Sequence, residues 1–372
     1  MKDVAPMTAY LHAIATVTPE QAYRQEDVGC WMQELAGDDR QRRLLKALYR
    51  TSGIASRHSV IPEFGRDFFG RDANGTLLEP GTGARNDIYA NEARQLGVTA
   101  GRMLLEQMPE LAPTDITHVV TASCTGFFNP GLDYFLVREL GLPTAAERFH
   151  LGFMGCYAAF PALRMAAQFC RANPRANVLV LCLELCSLHI QLGAREDQLL
   201  ANALFADGAA AALVSARPPV SGRQAFSLER FASALVPEGE ADMAWSVGDH
   251  GFDIALSSYV PKLLGANIAG VVDGLLAEDG HARSDIDSWA VHPGGRAILD
   301  QIERSLALSP EQLAPSRRVL RDFGNMSSAT ILFVLRDLLL TPTAEERRIC
   351  SMAFGPGLTV ELALLRQLPG GA

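Results

Sequence analysis

The sequence predicts an α/β fold with buried strands, and three observations support this prediction. First, four short segments are apolar almost throughout, at residues 116–121, 177–183, 210–214 and 287–291. Continuous apolar runs of this length are typical of strands that are covered on both faces. Second, segments of helical character lie between them, for example residues 91–97. Third, the 372 residues suffice for two domains or for one large pseudo-duplicated unit.

A seam in the chain is predicted after the third strand, where Pro-Pro-Val-Ser-Gly occupies residues 218–222. We therefore predict an N-terminal half over residues 1–217 and a C-terminal half over residues 218–372. Two further helices are expected to follow turns. One covers residues 157–167 and carries Pro161 in its first turn, where proline is tolerated, and the other covers the apolar residues 329–336.

The composition of the chain favours a globular protein and argues against several classes of function. Hydrophobic residues make up 48% of the chain and charged residues 20%, as in a globular protein with a large core. The net charge of −9 argues against a nucleic-acid-binding surface and against attraction to an anionic membrane. The chain has no run of about 18 apolar residues and no charged start followed by an apolar core, so neither a membrane span nor a signal peptide is expected.

The seven cysteines contain no CxxC pair, and Cys182 and Cys186 have no further candidate ligands near them in the sequence. No metal site is therefore predicted. Free thiols suit a reducing compartment, and we expect a cytoplasmic protein.

Cys156 is the candidate nucleophile. It lies where an apolar stretch meets a turn and then the predicted helix 157–167. The N-terminus of a helix carries about half a positive charge, which favours a thiolate, so we expect the pKa of Cys156 to be lowered. The alternative is an inert core cysteine, which is a common fate of a cysteine in an apolar segment.

Two later residues are candidate partners of this cysteine. His292 ends a short apolar run and precedes a tight turn, and Asn325 lies in a glycine-containing turn before helix 329–336. Such positions present side chains for chemistry. His292 can take the thiol proton, and together the histidine and the amide can donate hydrogen bonds to an oxyanion. Alone, His292 would be a structural histidine and Asn325 an ordinary turn residue.

Five segments carry a more specific signal. They are Gly-Phe-Met-Gly-Cys-Tyr-Ala at 152–158, Ala-Leu-Phe-Ala-Asp-Gly-Ala-Ala at 203–210, Val-His-Pro-Gly-Gly at 291–295, Gly-Asn-Met-Ser-Ser-Ala at 324–329 and Ala-Phe-Gly-Pro-Gly-Leu-Thr at 353–359. With these motifs in this order, the chain resembles a type III polyketide synthase, the chalcone synthase-like group of the thiolase superfamily. The resemblance implies a pseudo-duplicated thiolase-like fold of five layers, αβαβα, with the active site between the halves, and a homodimer.

The resemblance also implies a reaction. An acyl-CoA starter would be transferred to Cys156, malonyl-CoA would lose carbon dioxide, and His292 and Asn325 would stabilise the enolate. Repeated condensation and cyclisation would give a pyrone, a resorcinol or a related product. CoA thioesters would be the substrates, and no separate cofactor is implied. The Cys156 motif and Cys124 resemble those of bacterial members that take fatty acyl starters.

Further site residues follow from the same resemblance. Phe205 and Phe252 would be the two aromatic gates between the CoA tunnel and the reaction cavity. Residues 123–131 would shape the cavity floor and meet the second subunit, with Cys124, where plant members usually carry threonine, Thr125, and Asn129 in place of a methionine. The remaining expected cavity residues are Ser327, Gly355, Pro356 and Gly357. Arg50, Arg57 and His58 resemble a basic segment that contacts CoA phosphates; the alternative is a solvated helix end.

Three rival functions stay open at this stage. A β-ketoacyl-acyl carrier protein synthase III uses the same three residue types on the same fold, but it usually has glutamine and threonine where this chain has Pro293 and Met326. A papain-like protease fits the spacing from Cys156 to His292, but its oxyanion-hole glutamine and its Cys-Gly-Ser-Cys context are missing. The third rival is a catalytically inactive protein that binds CoA.

Overall fold

The computed structural model describes residues 8–62, 68–75, 77–193 and 195–370. In these ranges the strands are β1 Ala9–Val17, β2 Ala22–Arg24, β3 Ser56–His58, β4 Gly70–Arg71, β5 Leu77–Leu78, β6 His118–Ser123, β7 Glu147–Gly152, β8 Asn177–Leu185, β9 Asp207–Ser215, β10 Ala225–Leu235, β11 Met243–Gly248, β12 Gly251–Leu256, β13 Ser288–Val291, β14 Arg347–Gly355 and β15 Thr359–Leu368. The helices are α1 Gln25–Glu34, α2 Asp39–Thr51, α3 Thr82–Glu106, α4 Leu132–Glu139, α5 Ala159–Ala172, α6 Glu196–Leu204, α7 Val260–Ala277, α8 Arg296–Leu306, α9 Ala314–Phe323 and α10 Thr330–Leu339.

The four predicted strands are present as β6, β8, β9 and β13. Strand β6 begins two residues later than predicted and continues through Ala122 and Ser123, because both residues pair with β7 and Ser123 is fully buried. The predicted helix 91–97 is the middle of the 25-residue α3. Helix α5 begins at Ala159, so Cys156 lies in the turn before it and Pro161 is its third residue.

The main sheet has nine strands in the order β13-β14-β15-β10-β1-β9-β8-β6-β7. It contains the same four-strand pattern twice. In β6-β8-β9-β1 the first pair is parallel and the next two pairs are antiparallel, and β13-β14-β15-β10 repeats this arrangement. Strands β1 and β10 join the two repeats over three residue pairs, beginning at Ala9 and Leu228. The repeat shows the pseudo-duplication, while the division between residues 217 and 218 stays a prediction.

Three hydrophobic cores define five layers. Helices α3 and α4 pack on the outer face of the first repeat, and α7, α8 and α9 pack on the outer face of the second. Helices α5 and α10 lie between the two repeats and share one core with residues of both. The order is therefore helix, sheet, helix, sheet, helix, which confirms the expected αβαβα arrangement. The turns before α5 and α10 both lie at the central layer, which brings Cys156 and Asn325 toward one another.

In the described part of the chain, one helix is long and apolar enough by length and composition to cross a membrane. This is α7, of 18 residues. Lys262, Asn267 and Asp273 interrupt it, and Leu264, Ile268 and Val272 pack into the C-terminal core. We therefore interpret α7 as a core helix.

Candidate active site

The nucleophile turn is held by close contacts that only glycine allows. Gly155 has φ +91°, and a Cβ there would lie 2.4 Å from Cδ of Pro356. Its N–H donates a hydrogen bond to Sγ of Cys124 at 2.9 Å, and its carbonyl accepts from the Ala158 N–H at 3.1 Å. These contacts fix the turn so that Cys156 lies on the wall of a cavity.

His292 directly follows β13, and its backbone N–H donates to the Met352 carbonyl at 2.8 Å. Only 1% of its surface is exposed, and neither ring nitrogen has a hydrogen-bond partner among the described residues. Burial lowers the pKa of His292 to about 3, so the isolated imidazole is neutral. A buried ring with both nitrogens unpartnered is costly unless a ligand or the neighbouring thiol uses them.

Asn325 is fixed in one orientation. Its Oδ1 accepts the Ser327 N–H at 2.9 Å, and its Nδ2 donates to the Gly294 carbonyl at 3.2 Å. Its backbone bridges to Phe205, since its N–H donates to Leu204 at 3.0 Å and its carbonyl accepts from Ala206 at 2.9 Å. The amide group therefore faces the turn that follows His292, with one N–H left for a substrate.

The structure brings the three predicted catalytic side chains together. Cys156, His292 and Asn325 line one cavity of about 310 Å³. The rest of its wall is largely apolar, and it includes Leu48, Leu200, Leu204, Met243, Leu256 and Ile298. In the described ranges, no group of three or more His, Cys, Asp or Glu residues could hold a metal ion.

The expected lowering of the Cys156 pKa is wrong for the thiol taken by itself. Burial raises the pKa to about 12; Ser327 and Asn325 act in the opposite direction, while the charge of Glu184 adds to the rise. The residue is partly exposed and lines the cavity, but protein surrounds its thiol closely. The helix dipole is too weak to compensate, because α5 begins three residues further on.

Cys156 and His292 line the same cavity, and burial acts against the charged form of each side chain. Burial disfavours a lone thiolate and a lone imidazolium, but moving the thiol proton to the imidazole creates two opposite charges that stabilise one another. We therefore expect the reactivity of the sulfur to depend on the histidine rather than on the helix.

The two predicted gates differ in position. Phe205 lies on the wall of the main cavity, as expected. Phe252 does not line that cavity; it stacks on His189, with ring centroids 4.1 Å apart, beside a second pocket of about 20 Å³. Ile254 lines both spaces, because side chains two residues apart point to the same face of a strand. The residues of β12 that line the main cavity are therefore Ile254 and Leu256.

None of the three predicted floor residues lines the main cavity, and Cys124 lies behind the nucleophile turn, where its sulfur accepts from the Gly155 N–H. Cys124 is buried, and burial raises its pKa well above the usual range. Thr125 donates to Oε2 of Glu184 at 3.0 Å and accepts from the Leu185 N–H at 2.9 Å. Asn129 is exposed and lines a separate pocket of about 200 Å³.

The remaining predicted cavity residues surround the catalytic turns. Ser327 is fully buried at φ +47° and close enough to Cys156 to influence its pKa. Pro356 lines the cavity, and Gly355 packs on Tyr157 so closely that a Cβ would lie 2.5 Å from Cδ1 of that ring. Gly357, at φ +105°, completes the turn between β14 and β15.

One of the three predicted CoA contacts, Arg57, needs correction. Arg57 is fully buried, and its guanidinium donates to the carbonyls of Asn202 and Phe205 at 2.8 and 2.7 Å. A phosphate cannot reach it, so Arg57 instead fixes the backbone of the gate. The Nδ1–H of His58 donates to the Pro19 carbonyl at 2.8 Å, and its ring stacks on Phe323; its contact with CoA stays a prediction. Arg50 is exposed beside Thr51 and Ser52, which line the cavity, so its role stays a prediction.

Three functional candidates were missed by the sequence analysis. Arg296 lines the cavity directly after the glycine turn that follows His292, and this adjacency could have found it. Glu184 is buried and accepts from the Cys124 N–H at 2.8 Å and from the hydroxyl groups of Thr125 and Ser328. Trp245 lines the main cavity from β11, where no sequence motif marks it.

Comparison with known proteins extends this picture over the whole chain. The family models described as "Chalcone and stilbene synthases, N-terminal domain" and "C-terminal domain" match residues 1–218 and 227–369. The chain is 34% identical to the "Alpha-pyrone synthesis polyketide synthase-like Pks18" of Mycobacterium tuberculosis, covering 96% of this chain and 91% of that one. It is also 34% identical to the "1,3,6,8-tetrahydroxynaphthalene synthase" of Streptomyces coelicolor, covering 93% and 89%.

Solved structures of other polyketide synthases have the same fold. PKS-I from the brown alga Ectocarpus siliculosus superimposes with a TM-score of 0.88 at 30% identity, over 99% of this chain and 100% of that one. The C-terminal type III polyketide synthase domain of Steely1 from Dictyostelium gives a TM-score of 0.87 at 27% identity, over 96% and 99%. This fold excludes the papain-like protease as a rival function. The matched family favours a synthase that condenses repeatedly over the single condensation of a β-ketoacyl-acyl carrier protein synthase III. The chain belongs to the chalcone and stilbene synthase family and is a type III polyketide synthase.

Proposed function

We propose that this synthase loads a fatty acyl-CoA starter onto Cys156, extends it with malonyl-CoA and closes the product to an α-pyrone or a resorcinol. The observation that carries the proposal is the convergence of Cys156, His292 and Asn325 on one largely apolar cavity. The printed name of Pks18, which refers to alpha-pyrone synthesis, supports the pyrone outcome.

Loading begins with the buried thiol and the neutral imidazole. His292 accepts the Cys156 proton, and the thiolate attacks the carbonyl carbon of the acyl-CoA. The tetrahedral oxyanion accepts hydrogen bonds from the imidazolium and from the Asn325 amide. When the intermediate collapses, the carbon–sulfur bond to CoA breaks, and the CoA thiolate takes the proton from His292. An acyl thioester on Cys156 remains.

Extension uses the same two donors. Malonyl-CoA loses carbon dioxide, and the electron pair of the broken bond forms an enolate whose oxygen accepts from His292 and from Nδ2 of Asn325. The enolate carbon attacks the Cys156 thioester, and the sulfur leaves as a thiolate. The extended chain is then a CoA ester that can return to Cys156. The fixed amide of Asn325 suits this role because it needs no reorientation.

The proposed starter class follows from the wall of the cavity. Apolar residues, among them leucine, isoleucine, methionine and phenylalanine, form more than half of its lining, which favours burial of an alkyl chain. The volume of about 310 Å³ is at the lower end of the range for ligand pockets, so an acyl chain fits but a whole CoA molecule does not. The nucleotide of CoA would therefore stay outside, near Arg50 and Arg296. Arg296 is 3.7 Å from Asp300 and about half exposed, so it is free to turn toward a phosphate.

We also propose a homodimer formed through the edge of the first repeat. Strand β7 is the edge strand of the main sheet, and the adjacent residues 123–131 expose Phe127 by 45%. An unpaired strand edge next to an exposed aromatic ring is suited to a second copy of the chain. All seven cysteines are free thiols, which supports a cytoplasmic location.

The test is mass spectrometry of products from purified protein, malonyl-CoA and a panel of saturated acyl-CoA and aromatic acyl-CoA primers. We expect pyrones or resorcinols from acyl primers without any carrier protein, and none from the Cys156→Ala variant. Products that require an acyl carrier protein would favour the single-condensation alternative. A clear preference for an aromatic primer would refute the proposed starter class.

A further inference from the structure

The mouth of the main cavity lies beside the C-terminal end of α2. The residues of the cavity wall that are exposed to solvent mark this mouth, and they are Thr51, Ala244, Ser258, Arg296 and Ala297. Thr51 is the last residue of α2, and Arg50 directly before it is exposed as well. A substrate that enters the cavity therefore passes the end of this helix.

Helix α2 is strongly basic, although the chain as a whole carries a net charge of −9. The helix contains five cationic residues and one acidic residue. Two of the cations form salt bridges with acidic neighbours. The other three, Arg43, Lys46 and Arg50, are exposed, and no acidic side chain in the described ranges forms a salt bridge with them. Their charges are therefore available to a partner molecule.

These three cations share one side of the helix, here called the basic face. They are spaced three and four residues apart, which places them on the same side of an α-helix. Leu45 and Tyr49 lie on the other side and are buried in the core. Arg43 lies seven residues before Arg50, which at 1.5 Å per residue is about 10 Å along the helix. The basic face therefore extends well beyond the cations that a single phosphate at the mouth would need.

The side chains of the basic face favour an acidic protein over a membrane as its partner. The exposed residue between the cations is Ala47, and the leucine and tyrosine side chains of α2 are buried or half-buried against the protein. A helix that binds a membrane surface needs large apolar side chains that enter the bilayer, and this face offers none. Docking of an acidic protein through complementary charges does not need them.

The partner must also bring a substrate to the mouth. Fatty acyl groups are carried as thioesters of phosphopantetheine, either in CoA or on acyl carrier protein, which is small and acidic. The cavity of about 310 Å³ has room for the acyl chain, so the carrier stays outside. At the mouth it would lie next to the basic face.

We propose that the basic face of α2 docks an acidic acyl carrier protein, which is a second source of the fatty acyl starter besides acyl-CoA. The Cys156 thiolate attacks the carbonyl carbon of the carrier-bound thioester. The carbon–sulfur bond to the phosphopantetheine arm breaks, the released sulfur takes the proton from His292, and the acyl group remains on Cys156. Malonyl-CoA stays the extender and condensation is repeated, so this inference rests on the proposed function.

The test measures acylation of Cys156 in the absence of malonyl-CoA, by mass spectrometry of the peptide that contains it. Dodecanoyl-CoA and a dodecanoyl-loaded acyl carrier protein are compared as acyl donors. One variant combines Arg43→Glu with Lys46→Glu, which reverses the basic face and leaves Arg50 at the mouth unchanged. The control combines Arg102→Glu with Arg175→Glu, which changes the net charge equally at two exposed cations outside α2.

We expect the reversal of the basic face to lower the rate constant for acylation by the carrier protein by about tenfold or more, because like charges then oppose docking. Acylation by dodecanoyl-CoA should stay nearly unchanged, and the control should match the wild type with both donors. Equal losses with both donors would assign the face to the CoA nucleotide and overturn the proposal. Wild-type protein that the carrier does not acylate, or a reversed face that keeps the wild-type rate, would overturn it as well.

Sedimentation with vesicles of phosphatidylglycerol and phosphatidylcholine tests the membrane as a partner. We expect the wild type to stay in solution, and vesicle binding that disappears when the basic face is reversed would overturn the proposal in favour of a lipid surface. Acylation is measured without product formation. If the wild type makes no polyketide, the proposed function fails, and the comparison of the two donors still decides whether the carrier docks.

Discussion

The dependence of Cys156 on His292 gives the sharpest prediction, and His292→Gln is the variant that tests it. Glutamine preserves much of the side-chain volume but cannot take the thiol proton. Without the histidine, the pKa of Cys156 stays near the value of about 12 that burial imposes, against an ordinary value of 9.0. A difference of three pH units corresponds to about 10³ in thiolate fraction at neutral pH relative to an ordinary thiol, so we expect a loss of about 10² to 10³.

Alkylation by iodoacetamide measures this effect, because only the thiolate reacts. The labelled peptides are quantified by mass spectrometry between pH 6 and 10, and the exposed Cys30 in the same molecule is the internal reference. In His292→Gln we expect Cys156 to react about 10² to 10³ times more slowly than in the wild type at pH 7. Its rate should rise about tenfold per pH unit without a plateau. Equal rates in both proteins would show that the histidine does not activate the sulfur and would refute the reasoning.

Three further predictions address other parts of the site. Asn325→Ala should reduce release of carbon dioxide from malonyl-CoA about 10²- to 10³-fold, because one of two oxyanion donors is lost, and unchanged release would contradict this role. Arg57→Met should lower the free energy of unfolding in urea by about 1–3 kcal/mol, because it leaves the buried Asn202 and Phe205 carbonyls without a donor, whereas the control Arg50→Met should leave stability unchanged and raise KM for acyl-CoA. Burial raises the pKa of Glu184 from 4.5 to about 7, so this group stabilises the fold below pH 4.5 and its contribution is lost as the pH rises toward 7. Glu184→Gln should therefore flatten the fall in stability across that window, and a parallel curve for both proteins would argue against it.

The sequence was sufficient to predict four strands of the main sheet and three side chains that the structure brings to one cavity. Four apolar runs became strands of the main sheet, and Cys156, His292 and Asn325 were found because each lies in a motif of several residues with a glycine-dependent turn. Such turns leave a local signal, since a positive φ at Gly155 or Gly324 restricts the residue type. The predicted division at residues 217 and 218 and the roles of the site residues still await experiment.

Other features depend on which way a side chain faces, and a linear pattern does not give this. Phe252 and Ile254 differ by one step along the same face of β12, yet only Ile254 reaches the main cavity. Arg57 lies in a polar segment, but tertiary packing buries it completely behind the gate. The predicted direction of the Cys156 pKa shift was wrong for the same reason. Burial of the thiol away from water is a tertiary effect, and it outweighs the local helix dipole.

The duplicated architecture explains how the proposed nucleophile and its proposed hydrogen-bond donors, which come from distant parts of the chain, are held close together. Cys156 comes from the first repeat, His292 and Asn325 from the second, and the turns before α5 and α10 meet in the central layer. Two sets of contacts, here called locks, hold the turns that carry Cys156 and Asn325 in fixed relative positions. The backbone of Asn325 pairs with that of Phe205, and Glu184 on β8 accepts from Cys124 behind the nucleophile and from Ser328 beside the asparagine turn. Loss of either lock should therefore reduce loading and decarboxylation together, because it disturbs the relative placement of sulfur and amide rather than either group alone.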